Sequence, residues 1–404
     1  MTEWSPGSPF ERDVVVIGGC GHVGLPLAIA LAGRGGRVGI YDLSEAAVGM
    51  VNAAKMPFAE PGADGMLASA VAEGRLTAST GPAIVATAEH VIMVIGTPAD
   101  EHLNPDHEAI PSALAGCARY LRDGQMLILR STVHPGVTAQ VEKMIAKLGV
   151  QIDVAFCPER IAEGKAMTEL SELPQIVSSR TPSGMDRASV LFRRLTATLV
   201  PMMPEEAELA KLFTNFWRYV KFATANQLYM MANEQGLDFE RIRQGLILDY
   251  PRAADMPGAG FAAGPCLFKD TLQLAACDNN DFALGRAAIT INEGLPGYLV
   301  QRLQQRFDLR TMTVAILGMA FKGGSDDIRS SLSYKLKRIL AARARAVLCT
   351  DPYVTVDPAL RPLGEVLAAA DLLVIGAPHP EYSRLVTDKP VADIWNVLGK
   401  GVWL

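Results

Sequence analysis

The sequence predicts an α/β fold in which two Rossmann-like, doubly wound domains are joined by a central helical region with a long helix. Three observations predict it. Short β-branched runs alternate with segments of helical spacing over the first half, helix formers run unbroken from Glu205 to Glu234, and the early strand pattern returns near the C-terminus. At 404 residues the chain is too long for one hydrophobic core, so three folding units are expected: 11–203, 204–308 and 309–404.

The first strand is the apolar run Asp13 to Gly18, and the helix after it places Val23, Leu27, Ala30 and Leu31 on one face. Arg37 to Tyr41, Val91 to Ile95 and Met126 to Leu129 continue as strands, separated by segments of helix length. Glu205 to Glu234 contains neither Pro nor Gly and reads as one long helix, with faces free to pack against a second copy of the chain. In the last section, Thr313 to Gly318 echoes Val14 to Gly19. Ala346 to Asp351 echoes Val38 to Asp42, and Asp371 to Pro378 echoes Val91 to Pro98.

Composition excludes several classes of partner. A formal net charge of -5 and a pI near 5.8 leave no basic footprint for nucleic acid, and no apolar run is long enough to span a membrane. Met1 to Phe10 lacks the pattern of a secretory signal, so a cytoplasmic protein is expected. The six cysteines form no CxxC pair and no ligand spacing with His, which argues against a disulfide framework or a metal site.

Gly19-Cys20-Gly21-His22-Val23-Gly24 is a G-x-G-x-x-G run between a strand and a helix, the setting in which glycines admit a pyrophosphate to a helix N-terminus. Asp42 ends the next strand, where a carboxylate accepts ribose hydroxyls and repels a 2′-phosphate. NAD is therefore expected over NADP. Thr97 and Thr132 follow strands of the same sheet, at the edge where ligands collect, although a hydroxyl such as that of Thr97 ordinarily caps the next helix. Glu159 and Glu163 are four apart and share a face if the segment is helical; on a surface they are solvated acids. Lys211 and Asn215 are also four apart, and on one helix face can hold an oxygen that develops negative charge, whereas surface placement is the ordinary expectation for such a lysine. Cys266 lies in Gly-Pro-Cys-Leu-Phe-Lys-Asp, where Lys269 and a helix starting near it favour a thiolate; free cysteine is more often a small buried hydrophobe. His22 and His134 are read as loop residues and not as bases.

Taken together, GCGHVGLP at 19–26, GTP at 96–98, STVHPG at 131–136, PERIAEG at 158–164, the Lys211 and Asn215 pair, PR at 251–252, GPCLFKD at 264–270 and GMAFKGGSDDIR at 318–329 resemble the UDP-glucose/GDP-mannose dehydrogenase family. That resemblance implies two successive NAD-dependent oxidations of a nucleotide sugar at C6, from alcohol to carboxylate. Lys211 and Asn215 would stabilise the alkoxide, with water held by Asp270, and Cys266 would capture the aldehyde as a thiohemiacetal and then a thioester. Glu159 would activate the hydrolytic water. Thr132 would hold a catalytic water or touch the cofactor, and Glu163, Lys269 and Arg329 would lie on the cofactor side, with Gly19, Gly21, His22, Val23, Gly24, Asp42 and Thr97. Glu159, Lys211, Asn215, Gly260 and Lys322 would contact the nucleotide sugar, Lys322 through its diphosphate, and Arg252 would reach the substrate of a neighbouring subunit in a homodimer built on the central helices.

Alanines at 262–263, His134 and the Ser178-Ser179 pair depart from the family pattern and bear on which sugar is used. Two other readings stay open: a single-step hydroxyacid-type dehydrogenase, which needs no thiol, and a nucleotide sensor without turnover.

Overall fold

The computed structural model describes residues 4, 8–97, 106, 108–277 and 281–402. The chain divides into two compact units, Met1–Phe213 and Thr214–Leu404.

The first unit runs β1 (Arg12–Ile17), α1 (Gly24–Gly33), β2 (Val38–Tyr41), α2 (Glu45–Asn52), α3 (Ala63–Ala72), β3 (Leu76–Ser79), β4 (Ala88–Met93), α4 (Ala109–Cys117), β5 (Met126–Leu129), α5 (Val137–Leu148), β6 (Asp153–Phe156), α6 (Ala166–Glu172), β7 (Gln175–Ser178), α7 (Pro182–Phe192) and β8 (Leu199–Met202). It also holds the first turns of α8 (Pro204–Glu234). Six strands form one parallel sheet in the order β3-β2-β1-β4-β5-β6, with Val16 opposite Ile40 on one side and Ile92 on the other. Val14, Val15 and Val16 are fully buried because both faces of the sheet are covered, which is why the strand reads as a continuous apolar run without alternation. Strand order reverses between β1 and β4, so the loops after these strands flank the crevice where open sheets bind ligands. β7 and β8 form a separate parallel pair, tied to β6 by Ser178 and Ser179, whose hydroxyls donate to the carbonyls of Phe156 and Val154 at 2.6 and 2.7 Å.

The second unit continues with the remainder of α8, then α9 (Phe239–Ile247), α10 (Leu267–Cys277), α11 (Ala283–Arg306), β9 (Thr313–Leu317), α12 (Leu332–Ala341), β10 (Ala346–Thr350), α13 (Leu363–Ala369), β11 (Leu372–Ile375) and β12 (Val391–Ala392). Its sheet is again parallel, in the order β10-β9-β11-β12. The three sequence echoes thus fall on β9, β10 and β11, which repeat the places of β1, β2 and β4. A buried cluster on one face of the sheet joins Leu295, Leu299 and Leu303 of α11 to Leu336 and Leu340 of α12 and to Val314 and Ile316. Among the described residues no helix is long and apolar enough to cross a membrane.

Candidate active site

In the first unit the glycine loop follows β1. The positive φ that makes its turn belongs to Gly18, at +72°, one residue before the motif; a Cβ there would lie 2.2 Å from the Val94 carbonyl oxygen. Gly24 is required by packing, since a Cβ would come within 2.7 Å of the Gly19 Cα. Gly21 is different: its Cβ would meet only the Gly18 oxygen, at 3.9 Å, so its bare backbone leaves a cradle for a ligand and not for protein. Asp42 takes the Cys20 N–H at 2.9 Å on one oxygen and the Ser44 N–H at 3.0 Å on the other, which fixes the carboxylate beside the loop and leaves each oxygen a lone pair. These residues fit a dinucleotide. The His22 ring stacks on Phe58 with centroids 4.0 Å apart, and its Nε2 lies 3.9 Å from Glu163. Val23 immediately precedes α1.

The Thr97 hydroxyl donates to the Thr132 carbonyl at 2.7 Å, and the next described helix, α4, starts at Ala109. Pro98 of the GTP motif lies outside the described residues. Glu159 and Glu163 do not share a helix face, because residues 157–165 are not helical. The Glu159 carboxylate instead bonds its own following backbone, at Arg160 N (2.7 Å) and Ile161 N (3.0 Å). Nor is Glu159 a solvated acid. It is 5% exposed and paired with Arg130, which is 1% exposed and also donates to the Cys157 carbonyl at 2.9 Å and to Gln175 at 3.0 Å. Lys211 is 9% exposed, so the surface placement expected of it is wrong.

In the second unit, Asn215 donates to the Oδ2 of Asp270, which is fully buried. Asp270 Oδ1 makes no hydrogen bond among the described residues and has the Lys269 ammonium 3.3 Å away. Cys266 is exposed, against the ordinary expectation for a free thiol, and sits immediately before α10, which begins at Leu267 and so two residues earlier than expected. The other thiols differ. Burial pushes Cys20 up to about 12, with the Asp42 charge adding, and Cys157 likewise to about 12; burial takes Cys117 and Cys349 to about 11 and raises Cys277.

The turn that leads to Cys266 is held from several sides. Gly260 has φ +152° and packs its bare Cα against the Trp395 ring, where a Cβ would lie 2.3 Å from it. Both polar groups of Gly260 bond the buried Asn226, N–H to Oδ1 at 2.9 Å and carbonyl to Nδ2 at 3.0 Å; Asn292 braces Asn226 in turn. Gly264 packs the same way against Phe321, whose neighbour Lys322 places its ammonium 5.4 Å from that ring. Of the two alanines that depart from the family pattern, Ala262 is buried with Tyr219, Ala223 and Leu267. Arg329 is clamped by Asp327, with contacts from 2.6 Å, and Arg252 is exposed and bonds the Tyr250 hydroxyl at 2.9 Å.

Sequence reading missed Arg130, Asn226 and Asp351 as supports. A usable signal existed for Asp351, which directly follows β10 as Asp42 follows β2 and grips the loop after β9 in the same way, through Met319 N (2.6 Å) and Ala320 N (3.0 Å). Asn226 lies eleven residues after Asn215, three turns along the same helix.

A six-stranded parallel sheet with a glycine loop, a bare cradle and an acid just after the second strand defines a dinucleotide-binding protein of the Rossmann class. Comparison with known proteins narrows the class. Three models of the UDP-glucose/GDP-mannose dehydrogenase family match, the NAD binding domain over residues 12–196, the central domain over 205–294 and the UDP binding domain over 315–400. The chain belongs to this family and is an NAD-dependent nucleotide-sugar dehydrogenase. It is 31% identical over 417 residues to UDP-N-acetyl-D-mannosamine dehydrogenase of Salmonella typhimurium, covering 95% of this chain and 98% of that one. It is 29% identical over 403 residues to the Pyrococcus horikoshii enzyme of the same name, covering 96% and 93%. Among solved structures, a UDP-glucose dehydrogenase from Pyrobaculum islandicum superposes with a TM-score of 0.88 at 27% identity, over 96% of this chain and 95% of that one.

Proposed function

We propose that this dehydrogenase oxidises C6 of a UDP-N-acetylhexosamine to the uronate in two steps, through a thiohemiacetal and a thioester on Cys266. The setting of Cys266 carries the covalent route: it is exposed, it precedes a helix N-terminus, and it lies one turn before the buried Asp270. UDP-N-acetyl-D-mannosamine is the first candidate substrate, because the curated relatives named above act on that sugar.

NAD, when bound, accepts the hydride of each oxidation. Lys211 and Asn215, one turn apart on α8, stabilise the C6 oxygen as its proton leaves, and the alcohol becomes an aldehyde. The Cys266 thiolate adds to that aldehyde carbon, forming the C–S bond of the thiohemiacetal. Loss of its C6 hydride gives the thioester. Water then adds at the carbonyl and the C–S bond breaks, returning the thiol and releasing the carboxylate. We assign the water's proton to Asp270, whose Oδ1 makes no hydrogen bond among the described residues, and not to Glu159, whose oxygens already accept three donors. One alcohol and one water yield one carboxylate, two hydrides transferred to NAD and three protons released.

The same reading keeps a homodimer built on the segment 204–308, with Arg252 reaching the neighbour's substrate and Lys322 the diphosphate. Purified protein incubated with UDP-N-acetylmannosamine, UDP-N-acetylglucosamine, UDP-glucose, UDP-galactose and GDP-mannose, followed at 340 nm, tests the reaction. Two NADH per sugar, with the fastest turnover on UDP-N-acetylmannosamine, is expected. One NADH per sugar would leave the single-step hydroxyacid type of oxidation, and none on any nucleotide sugar would leave the sensor.

A further inference from the structure

The second unit contains a histidine that the chemistry above does not use. His379 follows β11, is fully buried, and is engaged at both ring nitrogens. Its Nδ1 accepts the Gly324 N–H at 3.1 Å, so in the neutral ring the proton sits on Nε2, which donates to Asp351 at 3.0 Å. Tyr353 and Tyr382 pack against the ring, with centroids 5.1 and 5.7 Å away. Asp351 in turn accepts the N–H groups of Met319 and Ala320 on the oxygen that His379 reaches, and those of Tyr353 and Val354 on the other.

The consequence is a loop fastened at both ends. Residues 318–324, which carry Lys322, are bound at their start by Asp351 and at their end by His379. The backbone of the loop is also pressed against the segment that bears the histidine. A Cβ on Gly318 would lie 2.6 Å from Ala377 N, and one on Gly323 would lie 2.2 Å from the Pro378 carbonyl oxygen. A surface lysine needs no such fastening. An ammonium that must meet a diphosphate gains from it, because ordering the loop in advance removes that cost from binding.

We infer that His379 is a positioning residue for nucleotide-sugar binding: through the Gly324 N–H it holds the 318–324 loop so that Lys322 is presented to the diphosphate. The inference rests on the reading of Lys322 given above. It separates the two ring nitrogens by function. Nδ1 holds the loop, whereas Nε2 orients the ring on Asp351.

Calorimetry with UDP as the probe, together with steady-state kinetics, tests this on the full chain. His379→Phe keeps the ring between the two tyrosines and removes both nitrogens. It should weaken UDP and raise the nucleotide-sugar KM by ~10-fold, with kcat and the KM for NAD changed less than about twofold. His379→Asn keeps an acceptor near the position of Nδ1 and should restore most of the affinity. His379→Gln keeps a donor toward Asp351 only and should not; it also serves if the phenylalanine variant fails to fold. In the Lys322→Met background His379→Phe should add nothing. If Lys322→Met leaves UDP affinity unchanged, the diphosphate reading of the loop fails. If Lys322→Met weakens UDP but the His379 variants fold and bind normally, or the two effects add in full, only the positioning role fails.

Discussion

Six thiols of identical chemistry are sorted by their surroundings. Four are buried and kept protonated at neutral pH, Cys277 is raised by burial as well, and Cys266 is exposed beside a helix N-terminus. The carboxylates are sorted in the same way. Glu159 is held by a buried guanidinium and two backbone donors, whereas Asp270 keeps one oxygen without a hydrogen bond among the described residues. Asp351 offers the clearest titration. Burial alone would raise it, but the His379 hydrogen bond and the N–H groups of Ala320 and Tyr353 outweigh burial and bring it from 3.8 to about 2. A folded-state value below the unfolded one stabilises the fold above the unfolded pKa, and the gain is lost as pH falls from about 4 through 2. At neutral pH the drop is worth about 2 kcal/mol. Asp351→Asn should therefore lower stability in urea by about that amount at pH 7, with the difference from wild type shrinking toward pH 2. A gap that stayed constant with pH would mean that the carboxylate's charge is not what stabilises the loop.

At the level of elements, a carboxylate in the first turns of α8 caps another helix of the first unit. Glu208 is 1% exposed, and its carboxylate accepts Gly136 N at 2.7 Å, Thr138 N at 2.8 Å and the Thr138 hydroxyl at 2.6 Å, at the N-terminus of α5. The residue preceding α5 is Gly136, which has no side chain to cap with, so the cap arrives from another helix. Glu208→Ala leaves buried donors unpaired and should cost about 2–3 kcal/mol, read as a lower urea midpoint; Glu208→Gln keeps an acceptor and should cost less. A loss below 0.5 kcal/mol in Glu208→Ala would mean that water replaces the cap. This contact marks the limit of what the sequence makes legible. β1, β5, α8 and the β9-β10-β11 echo are readable because local periodicity and β-branched runs report burial directly. The glycine loop and Asp42 are readable because a tight turn and its backbone N–H groups demand those residue types, and Cys266 because of its place beside Lys269 and a helix start. Arg130, Glu208, Asn226 and His379 are silent, because each acts on a partner 27 or more residues away that no local pattern reveals. The PERIAEG segment shows why spacing alone is undecided: Glu159 and Glu163 share a face only in a helix, and Glu159 bonds its own backbone while Gly164 takes φ +76°, which is not helical.

For the molecule as a whole, the second unit leaves apolar side chains in water at positions that a monomer would ordinarily make polar. Trp217 and Met231 of α8 are 59% and 50% exposed, Leu246 of α9 is 42% exposed, and Leu248 beyond it is 73% exposed. A helix that stays apolar on its outer face is ordinarily covered by a partner, and the occupant proposed here is a second copy of the chain. Arg252, four residues after Leu248, is exposed and held by Tyr250 through a hydrogen bond and a ring contact at 4.9 Å, so it would be carried into the same interface. Met231→Asp combined with Leu246→Asp places a carboxylate at an exposed apolar position of each helix. Light scattering should show the wild type as a dimer and this variant as a monomer that keeps its helical circular dichroism. If Arg252 completes the neighbour's substrate site, the monomer's nucleotide-sugar KM rises at least ~10-fold with the KM for NAD unchanged. Arg252→Ala in the intact dimer reproduces that rise, and adding it to the monomer changes nothing further. A monomeric variant with the wild-type KM would separate assembly from catalysis and remove Arg252 from the substrate site.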